Sequence, residues 1–223
     1  KYFWQESLKN KLRTLLAKLV VPRVDGIRVV SRRISRSLTS CFLLPKSRIA
    51  VLPIFVDVQK IISAPIKIDL HKKYPEHDFI ILMASRLSPE KNIGLAIKAM
   101  KDVVLKYPRT LLLIVGGGAE KNNLEARIRK YEIGKSVIIE SWNNDLTSYY
   151  KTADLFLLSS NYEGYGRTII EAVSVELPVV STDVGIAGEI VPSAGGLVVG
   201  VGDKAAFSSA ILDMIERKEK GNL

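Results

Sequence analysis

The chain has 223 residues, of which 47% are hydrophobic, and it carries a formal net charge of +10. This length exceeds one average domain but falls short of two complete α/β domains, so we expect one whole domain with a piece of another. No run of about twenty uncharged apolar residues is present, which excludes a membrane-spanning helix, and the lone Cys41 excludes an internal disulfide and agrees with a reducing cytoplasm.

The positive charge is concentrated in the first fifty residues, which hold twelve Lys or Arg against only Glu6 and Asp25. From Leu8 to Val21, leucines at helical spacing alternate with basic residues, which predicts an amphipathic helix. Such a segment suits an anionic membrane surface or nucleic acid, and a solvated helix face is the equally open alternative. We expect a cytoplasmic protein that contacts the inner face of a membrane peripherally and has no nucleic acid partner.

A segment rich in turn signals, residues 51–57 and 60–77, is expected to link this basic piece to the remainder, with domains at 1–57 and 58–223. From residue 78 onward, compact apolar runs alternate with helical patterns. The predicted strands are 79–84, 111–115, 137–140, 154–159, 178–182 and 196–199, and the predicted helices run from Ser88 to Pro108, up to Tyr131, from Asp145, from Gly166 to Glu176 and from Asp203 to Glu219. Apolar runs without polar alternation are typical of strands covered on both faces, so we predict a doubly wound parallel α/β sheet.

Two cations follow the first of these strands. In an open parallel sheet, ligands bind beyond the carboxyl ends of the strands, where helix N-termini present unpaired N–H groups. Arg86 and Lys91 lie about one turn apart at the start of the predicted helix, an arrangement suited to a diphosphate. Solvated surface charges are the alternative interpretation.

Two carboxylates flank the start of a later helix, in the sequence EGYGRTIIE. Glu163 lies in the turn and Glu171 eight residues later, while Gly164 and Gly166 allow close approach of a ligand to the backbone. Each carboxylate can accept hydrogen bonds from the hydroxyls of a polyol. The alternative is structural: Glu163 caps the helix, and Glu171 pairs with a nearby cation.

Other common nucleotide and catalytic motifs are missing from the sequence. The triple glycine Gly116–Gly118 lacks the GxGxxG spacing, and neither GKS nor GKT follows it, which argues against a dinucleotide fingerprint and a P-loop. HExxH, GxSxG and clusters of metal ligands are also lacking.

Six blocks in chain order carry a family resemblance: SRLSPEKN, LLIVGGG, YYKTADLFLLSS, EGYGRTIIEAV, PVVSTDVG and GEIV. Together they resemble the C-terminal domain of family 4 (group 1) retaining glycosyltransferases of the GT-B fold, and the Glu-x7-Glu pair is the most specific element. Upstream, DGIRVVSRRISRSL resembles the end of the acceptor domain, and SRIAVLPIFVD resembles the crossing between the two domains. The resemblance implies a Rossmann-like donor domain preceded by a truncated piece of the acceptor domain.

The resemblance also implies an activity and a site. It implies transfer of a sugar from a UDP-sugar or GDP-sugar, with retention, to a saccharide or lipid-linked acceptor in polysaccharide, lipopolysaccharide or glycolipid synthesis, without a cofactor or a metal. It assigns Arg86 and Lys91 to the diphosphate, Glu163 to the sugar hydroxyls and Glu171 to the ribose. It implies that residues 140–142 lie where the edge of the base is read. The other donor-binding residues that it implies are Gly117, Ser141, Trp142, Gly164, Tyr165, Gly166, Arg167 and Thr168.

The chain also departs from the family pattern. Where the family usually has glycine, this sequence has Ser85, Ser141, Glu176 and Ile186. Ile186 falls on a loop expected to face the sugar, so we expect it to affect donor choice or activity. Two alternatives stay open: a nucleotide-sugar-binding module without turnover, and another enzyme on the same architecture, such as a nucleotide-sugar epimerase or a phosphorylase that uses pyridoxal phosphate.

Overall fold

The computed structural model describes the backbone of residues 8–222 and the side chains of residues 11–222. The chain divides into two compact units, one ending at Phe55 and the other beginning at Val56. This boundary lies two residues before the one placed after residue 57 from the sequence.

The first unit contains α1 (Leu8–Val20), β1 (Ile27–Val29), α2 (Arg32–Phe42) and β2 (Ile49–Val51), and its two strands pair in parallel. α1 is the predicted amphipathic helix, and it ends where Pro22 enters a 3₁₀ turn. α2 begins after Ser31, whose Oγ accepts a hydrogen bond from the Ile34 N–H at 3.3 Å. Among residues 8–222, no helix is long and apolar enough to cross a membrane.

The second unit is built on a six-stranded sheet in which every strand is parallel to its neighbours. Its elements are α3 (Val58–Ser63), α4 (Leu70–Lys73), β3 (Phe79–Ala84), α5 (Ile93–Lys106), β4 (Thr110–Val115), α6 (Lys121–Lys130), β5 (Val137–Glu140), α7 (Leu146–Thr152), β6 (Leu155–Leu158), α8 (Arg167–Val173), β7 (Val179–Thr182), α9 (Ala187–Ile190), β8 (Leu197–Val199) and α10 (Lys204–Glu219). The strand order is β5-β4-β3-β6-β7-β8. The predicted doubly wound parallel sheet is therefore confirmed, with strand ends within one residue of those expected.

Burial on both faces explains the continuous apolar runs. Every residue of β3 and β4 is buried, and successive side chains point into two separate cores. One core contains Ile81 and packs against α5, α6 and α10, whereas the other contains Ile80 and packs against α4, α7 and α8. Each such aliphatic side chain contributes about 1.5–3 kcal/mol when it leaves water, so the sheet is the main source of stability.

The largest differences from the predicted elements lie in the connections. The segment expected to be a linker contains two short helices, α3 and α4, because Asp57 and Asp69 accept hydrogen bonds from their first-turn N–H groups. The helix expected from Ser88 begins only at Ile93, after a 3₁₀ turn over Pro89–Lys91. The helix expected over 166–176 stops at Val173.

The strand order changes direction between β3 and β6, which are neighbours in the sheet. α5, which follows β3, packs on one face of the sheet, and α8, which follows β6, packs on the other. The loops after β3 and β6 therefore diverge at this topological switch point and leave a crevice between them. Arg86 and Lys91 lie on the first of these loops, and Glu163 lies on the second.

Candidate donor-binding site

A partly buried ion pair joins the two loops at the switch point. The Nζ atom of Lys91 lies 2.6 Å from Oε1 of Glu163, and the two side chains are only 16% and 12% exposed. The same Oε1 accepts a hydrogen bond from the buried hydroxyl of Ser160 at 2.7 Å. The structure thus brings together one predicted cation and one predicted carboxylate, and adds a serine that the motif did not indicate.

Hydrogen bonds between the loops hold this pair in place. The Asn161 N–H donates to the Glu90 carbonyl at 2.8 Å, and the Asn92 side chain donates to that of Asn161 at 3.0 Å. The Ser159 hydroxyl donates to the carbonyls of Lys91 and Asn92, at 3.0 and 3.1 Å. Asn92 has φ 45°, which turns the chain from the 3₁₀ turn into α5 and keeps the Lys91 carbonyl pointing at β6.

Arg86 lies in a different environment from Lys91. Its side chain is 81% exposed, and its guanidinium lies 3.8 Å from Oε1 of Glu90. The Ser88 hydroxyl donates to the same oxygen at 2.7 Å, and this hydrogen bond holds the pKa of Glu90 below its usual range. Arg86 is therefore a solvated cation on the loop after β3, and its assignment to a diphosphate stays a prediction.

Glu171 is oriented by α7 and by its own helix. Its Oε2 atom accepts a hydrogen bond from the Tyr150 hydroxyl at 3.0 Å, and its Oε1 atom lies 3.7 Å from the Arg167 guanidinium. Glu171 thus pairs with a nearby cation, as the structural alternative expected, and Tyr150 is an additional partner. Burial, and then the nearby carboxylate, raises the pKa of Tyr150 well above 10. Tyr150 was missed because a tyrosine in an amphipathic run indicates only core packing.

The residues between the two glutamates form an exposed turn above a buried support. A side chain added at Gly164 would contact nothing within 4 Å, so the backbone here is open to a ligand. Gly166 has φ 97° and is the residue before α8, and in the described part of the chain the Glu163 side chain accepts from Lys91 and Ser160, not from an N–H of this helix. Arg167 is exposed, and Thr168 is half-buried. Tyr165 is buried, and its carbonyl accepts a hydrogen bond from the Ile186 N–H at 2.9 Å.

Two of the positions where the family usually has glycine have clear structural outcomes. The side chain of Ile186 is only 2% exposed and packs beneath Gly166, so it supports the turn from inside, and its effect on donor choice stays a prediction. Glu176 has φ 61°, in the left-handed region that favours glycine, and follows α8 where its N–H donates to the Val173 carbonyl.

The triple glycine has a structural role that its spacing did not indicate. A side chain at Gly116 would lie 1.9 Å from the Ser85 carbonyl, and one at Gly118 would lie 2.3 Å from the Leu87 carbonyl. Gly117 between them would contact nothing within 4 Å, and its carbonyl accepts a hydrogen bond from the Leu87 N–H at 2.9 Å. Two glycines thus permit close packing of the loops after β3 and β4, while Gly117 lies open beside them.

Ser141 and Trp142 lie in the loop that follows β5, at the same edge of the sheet. Both are exposed, and Trp142 is 58% exposed. Within residues 8–222, no three His, Cys, Asp or Glu side chains lie close enough together to hold a metal ion. That the chemistry needs no metal stays a prediction.

Comparison with known proteins identifies the family. The model of the family described as Glycosyl transferases group 1 matches residues 67–222. An uncharacterized glycosyltransferase of Methanocaldococcus jannaschii is 29% identical over 183 residues, which is 81% of this chain and 45% of the relative. The UDP-Gal:alpha-D-GlcNAc-diphosphoundecaprenol alpha-1,3-galactosyltransferase of Escherichia coli is 28% identical over 178 residues, which is 77% of this chain and 46% of the relative. The chain therefore spans about half the length of these relatives.

Solved structures share the fold. The crystal structure of Anabaena HepE in complex with UDP superposes with a TM-score of 0.81 at 21% identity, over 97% of this chain and 60% of that one. The structure of WaaG, a glycosyltransferase of lipopolysaccharide biosynthesis, gives a TM-score of 0.80 at 17% identity, over 98% and 62%. The family match, the six-stranded parallel sheet and these structures agree, and the chain belongs to the group 1 glycosyl transferases, of the GT-B fold.

Proposed function

We propose that this chain binds the nucleoside diphosphate sugar in a retaining glycosyltransferase, which moves the sugar to a saccharide or lipid-linked acceptor. The observation that carries the proposal is the shielded Lys91–Glu163 pair at the switch point of a group 1 glycosyl transferase. Isolated surface charges would be solvated. Here one cation and one carboxylate are held together where an α/β sheet binds its ligands.

In this proposal the cations stabilise the departing nucleoside diphosphate. In glycosyl transfer the nucleoside diphosphate departs as the sugar becomes oxocarbenium-like, so negative charge grows on the diphosphate. Preorganised donors in a water-excluded site stabilise such charge by several kcal/mol. We propose that Lys91, Arg86 and the backbone from Gly164 to Thr168, which is open at Gly164, supply these donors.

In this proposal the carboxylates accept hydrogen bonds from the hydroxyls of the two sugar rings of the donor. In the described part of the chain, both hydrogen bonds to Glu163 fall on Oε1, which leaves Oε2 to accept from a hydroxyl of the transferred sugar. The Glu171 carboxylate accepts from Tyr150 and lies 3.7 Å from Arg167, the first residue of α8, and we propose that the ribose binds beside it. Neither glutamate is proposed as a nucleophile.

The donor is proposed to carry UDP or GDP. A galactosyltransferase relative is named for UDP-Gal, and Anabaena HepE was crystallised with UDP, which favours a uridine donor. Because the chain spans about half of its curated relatives, a binding module without turnover is the alternative. Affinity for a nucleotide sugar without transfer or hydrolysis would support that alternative.

Binding of UDP, GDP and ADP, with and without attached sugars, tests the proposal by calorimetry and thermal shift. We expect Lys91→Ala to weaken binding of the preferred diphosphate about ten- to hundredfold, because a charge-assisted contact is lost. Arg86→Ala should weaken it less, since its guanidinium is solvated. Lys106→Ala is the matched control, because Lys106 is a paired lysine on α5 away from the crevice. Failure of all these nucleotides to bind the unaltered chain would refute the proposal.

We also propose that α1 contacts an anionic membrane surface. Leu12, Leu15, Leu16 and Leu19 are 51–58% exposed in the first unit, and basic residues lie between them. Apolar burial at the headgroup boundary adds to the attraction of each Lys or Arg for acidic lipid, about 1 kcal/mol apiece.

Sedimentation with vesicles tests this contact. We expect binding to vesicles containing phosphatidylglycerol and little binding to phosphatidylcholine alone, with the difference reduced at high salt. Leu15→Glu, on the apolar side of α1, should abolish sedimentation, whereas Lys46→Glu outside this helix should preserve most of it. Equal sedimentation of all three proteins would refute the contact.

A further inference from the structure

The loop that carries Trp142 is tied down by its own side chains. Asn143 accepts a hydrogen bond from the Asp145 N–H at 2.8 Å through its side-chain oxygen. Asp145 in turn accepts from the N–H and hydroxyl of Ser148, at 3.4 and 2.7 Å, and so begins α7. The loop is thus short and folded back on the helix that follows it.

One hydroxyl connects this loop to the sheet. The Asn143 side-chain amide donates to the Tyr149 hydroxyl at 3.2 Å, and that hydroxyl donates to Oε2 of Glu140 at 2.7 Å. Tyr149 is 1% exposed, so its ring is fixed in the core on the side of α7. Because Glu140 is the last residue of β5, the hydroxyl links both ends of the loop.

The Glu140 carboxylate is held independently of the loop by α4 and the residue after it. The Lys73 ammonium and the Tyr74 hydroxyl both donate to Oε1 of Glu140. Burial acts to raise the pKa of Glu140, but the hydrogen bonds from Lys73, Tyr74 and Tyr149 outweigh it and lower that pKa. Burial, and then the same carboxylate, raises the pKa of Tyr74 to about 12. The carboxylate is therefore a fixed point to which the loop is attached.

What this arrangement presents to solvent is an aromatic ring. Trp142 is 58% exposed, like Ser141 before it, whereas Glu140, Asn143 and Tyr149, which hold the loop, are partly or fully buried. Rings of this kind stack on planar bases, and a loop that is already ordered avoids the entropy of ordering on binding.

We infer that Tyr149 is a positioning residue: by joining Asn143 to Glu140 it holds Trp142 at the carboxyl edge of the sheet for stacking on the base of the nucleotide. The inference rests on the proposed function and on the implied binding of the base at residues 140–142, and it concerns what holds this loop in place. It adds that base recognition depends on a buried hydroxyl that does not touch the ligand.

A pair of tyrosine variants separates positioning from plain stabilisation. Tyr149→Phe and Tyr74→Phe each remove one hydroxyl from the same carboxylate, but only the Tyr149 hydroxyl also contacts the loop. We expect Tyr149→Phe to weaken binding of UDP or GDP about three- to tenfold, as for loss of one or two hydrogen bonds. Binding of inorganic pyrophosphate, which has no base, should be unchanged. Tyr74→Phe should bind both probes like the unaltered chain.

Fluorescence of Trp142 gives a second readout. The chain has two tryptophans, so Trp4→Phe leaves Trp142 as the sole reporter. We expect UDP or GDP to quench its emission and pyrophosphate to leave it unchanged, with quenching weakened in Tyr149→Phe. Should Tyr149→Phe fail to fold, Asn143→Ala removes the loop's side of the same link and is expected to give the same losses.

The outcomes distinguish the inference from the proposed function. Equal nucleotide affinity in Tyr149→Phe and the unaltered chain, or an equal loss in Tyr74→Phe, would overturn the inference while leaving the donor site intact. An equal loss for pyrophosphate would overturn it too, since the effect would not depend on the base. Absence of binding of any nucleotide or pyrophosphate to the unaltered chain would instead refute the proposed function.

Discussion

Two ion pairs at opposite edges of the six-stranded sheet differ in how much of each side chain is exposed to water. At the amino edge, a cleft of about 320 Å³ opens where β3 and β4 begin, with Phe79, Tyr107 and Ile215 among its lining. Its Arg109 and Asp78 form a two-pronged pair whose second contact, from NH2 to Oδ1, measures 2.7 Å, but these side chains are 58% and 68% exposed. At the carboxyl edge, Lys91 and Glu163 are 16% and 12% exposed.

A cleft in the surface therefore does not by itself mark the place where a pair of charges is shielded from water. Arg109 and Asp78 at the amino cleft pair in water, where an ion pair contributes little. The carboxyl edge encloses its pair between two loops, where the same two charges interact several times more strongly. Parallel strands direct divergent loops to the carboxyl edge, and there the loops after β3 and β6 enclose Lys91 and Glu163.

Alanine substitutions at two glycines of the carboxyl edge should give the largest expected difference in folding stability. Gly116→Ala would place a carbon 1.9 Å from the Ser85 carbonyl, and we expect it to lower the free energy of unfolding by about 2–3 kcal/mol in urea titrations. Gly117→Ala meets no atom within 4 Å and should leave stability unchanged or slightly higher, while weakening nucleotide binding. Similar stabilities for the two variants would contradict the close packing of these loops.

Removing one lysine from each of two pairs compares shielded with solvated charges directly. Lys91→Ala leaves the Glu163 carboxylate 12% exposed and without its cation, so we expect a loss of about 1–3 kcal/mol in unfolding free energy. Lys106→Ala removes an exposed partner of Glu216 and should give no measurable change. Equal losses would show that shielding at the crevice has no energetic consequence.

A smaller difference should appear in the pH dependence of stability. The pKa of Glu140 in the fold lies below its ordinary value of 4.5, so its stabilisation is present above that pH and is lost as the pH falls below it. Glu140→Gln should therefore be less stable near neutrality and should lose less stability on acidification. Asp78→Asn, at the exposed amino edge, should change this profile less, because water screens Arg109. Thermal unfolding between pH 3 and 7 would measure the profiles of both variants. Equal changes in the two would contradict the expected difference between a partly buried and an exposed carboxylate.

Much of the fold followed from the sequence because buried parallel strands leave a plain signal. The runs from Phe79 to Ala84 and from Val137 to Glu140 were predicted with the observed ends. The start of α5 was not, because Ser88 and Pro89 are typical of a helix start and here form a 3₁₀ turn. Only the left-handed Asn92, which periodicity does not reveal, shows where the helix begins.

The candidate site could be predicted in its residue types but not in its pairings. The motif indicated Lys91 and Glu163 separately, and their contact depends on how two loops 72 positions apart pack. Ser160 and Tyr150 are common core residues in sequence, and only the fold shows that their hydroxyls reach Glu163 and Glu171. The inward direction of the Ile186 side chain could not be predicted either, since a loop's position does not tell which way its side chains turn.

The bonds between the loops after β3 and β6 have a mechanical consequence. Main-chain and side-chain contacts of Glu90, Asn92, Ser159 and Asn161 join the two segments across the sheet. Neither segment can be displaced alone without breaking several of these bonds, so we expect the two loops to move together as one rigid unit. A substitution that loosens one loop should therefore also weaken the binding of a ligand that contacts the other loop.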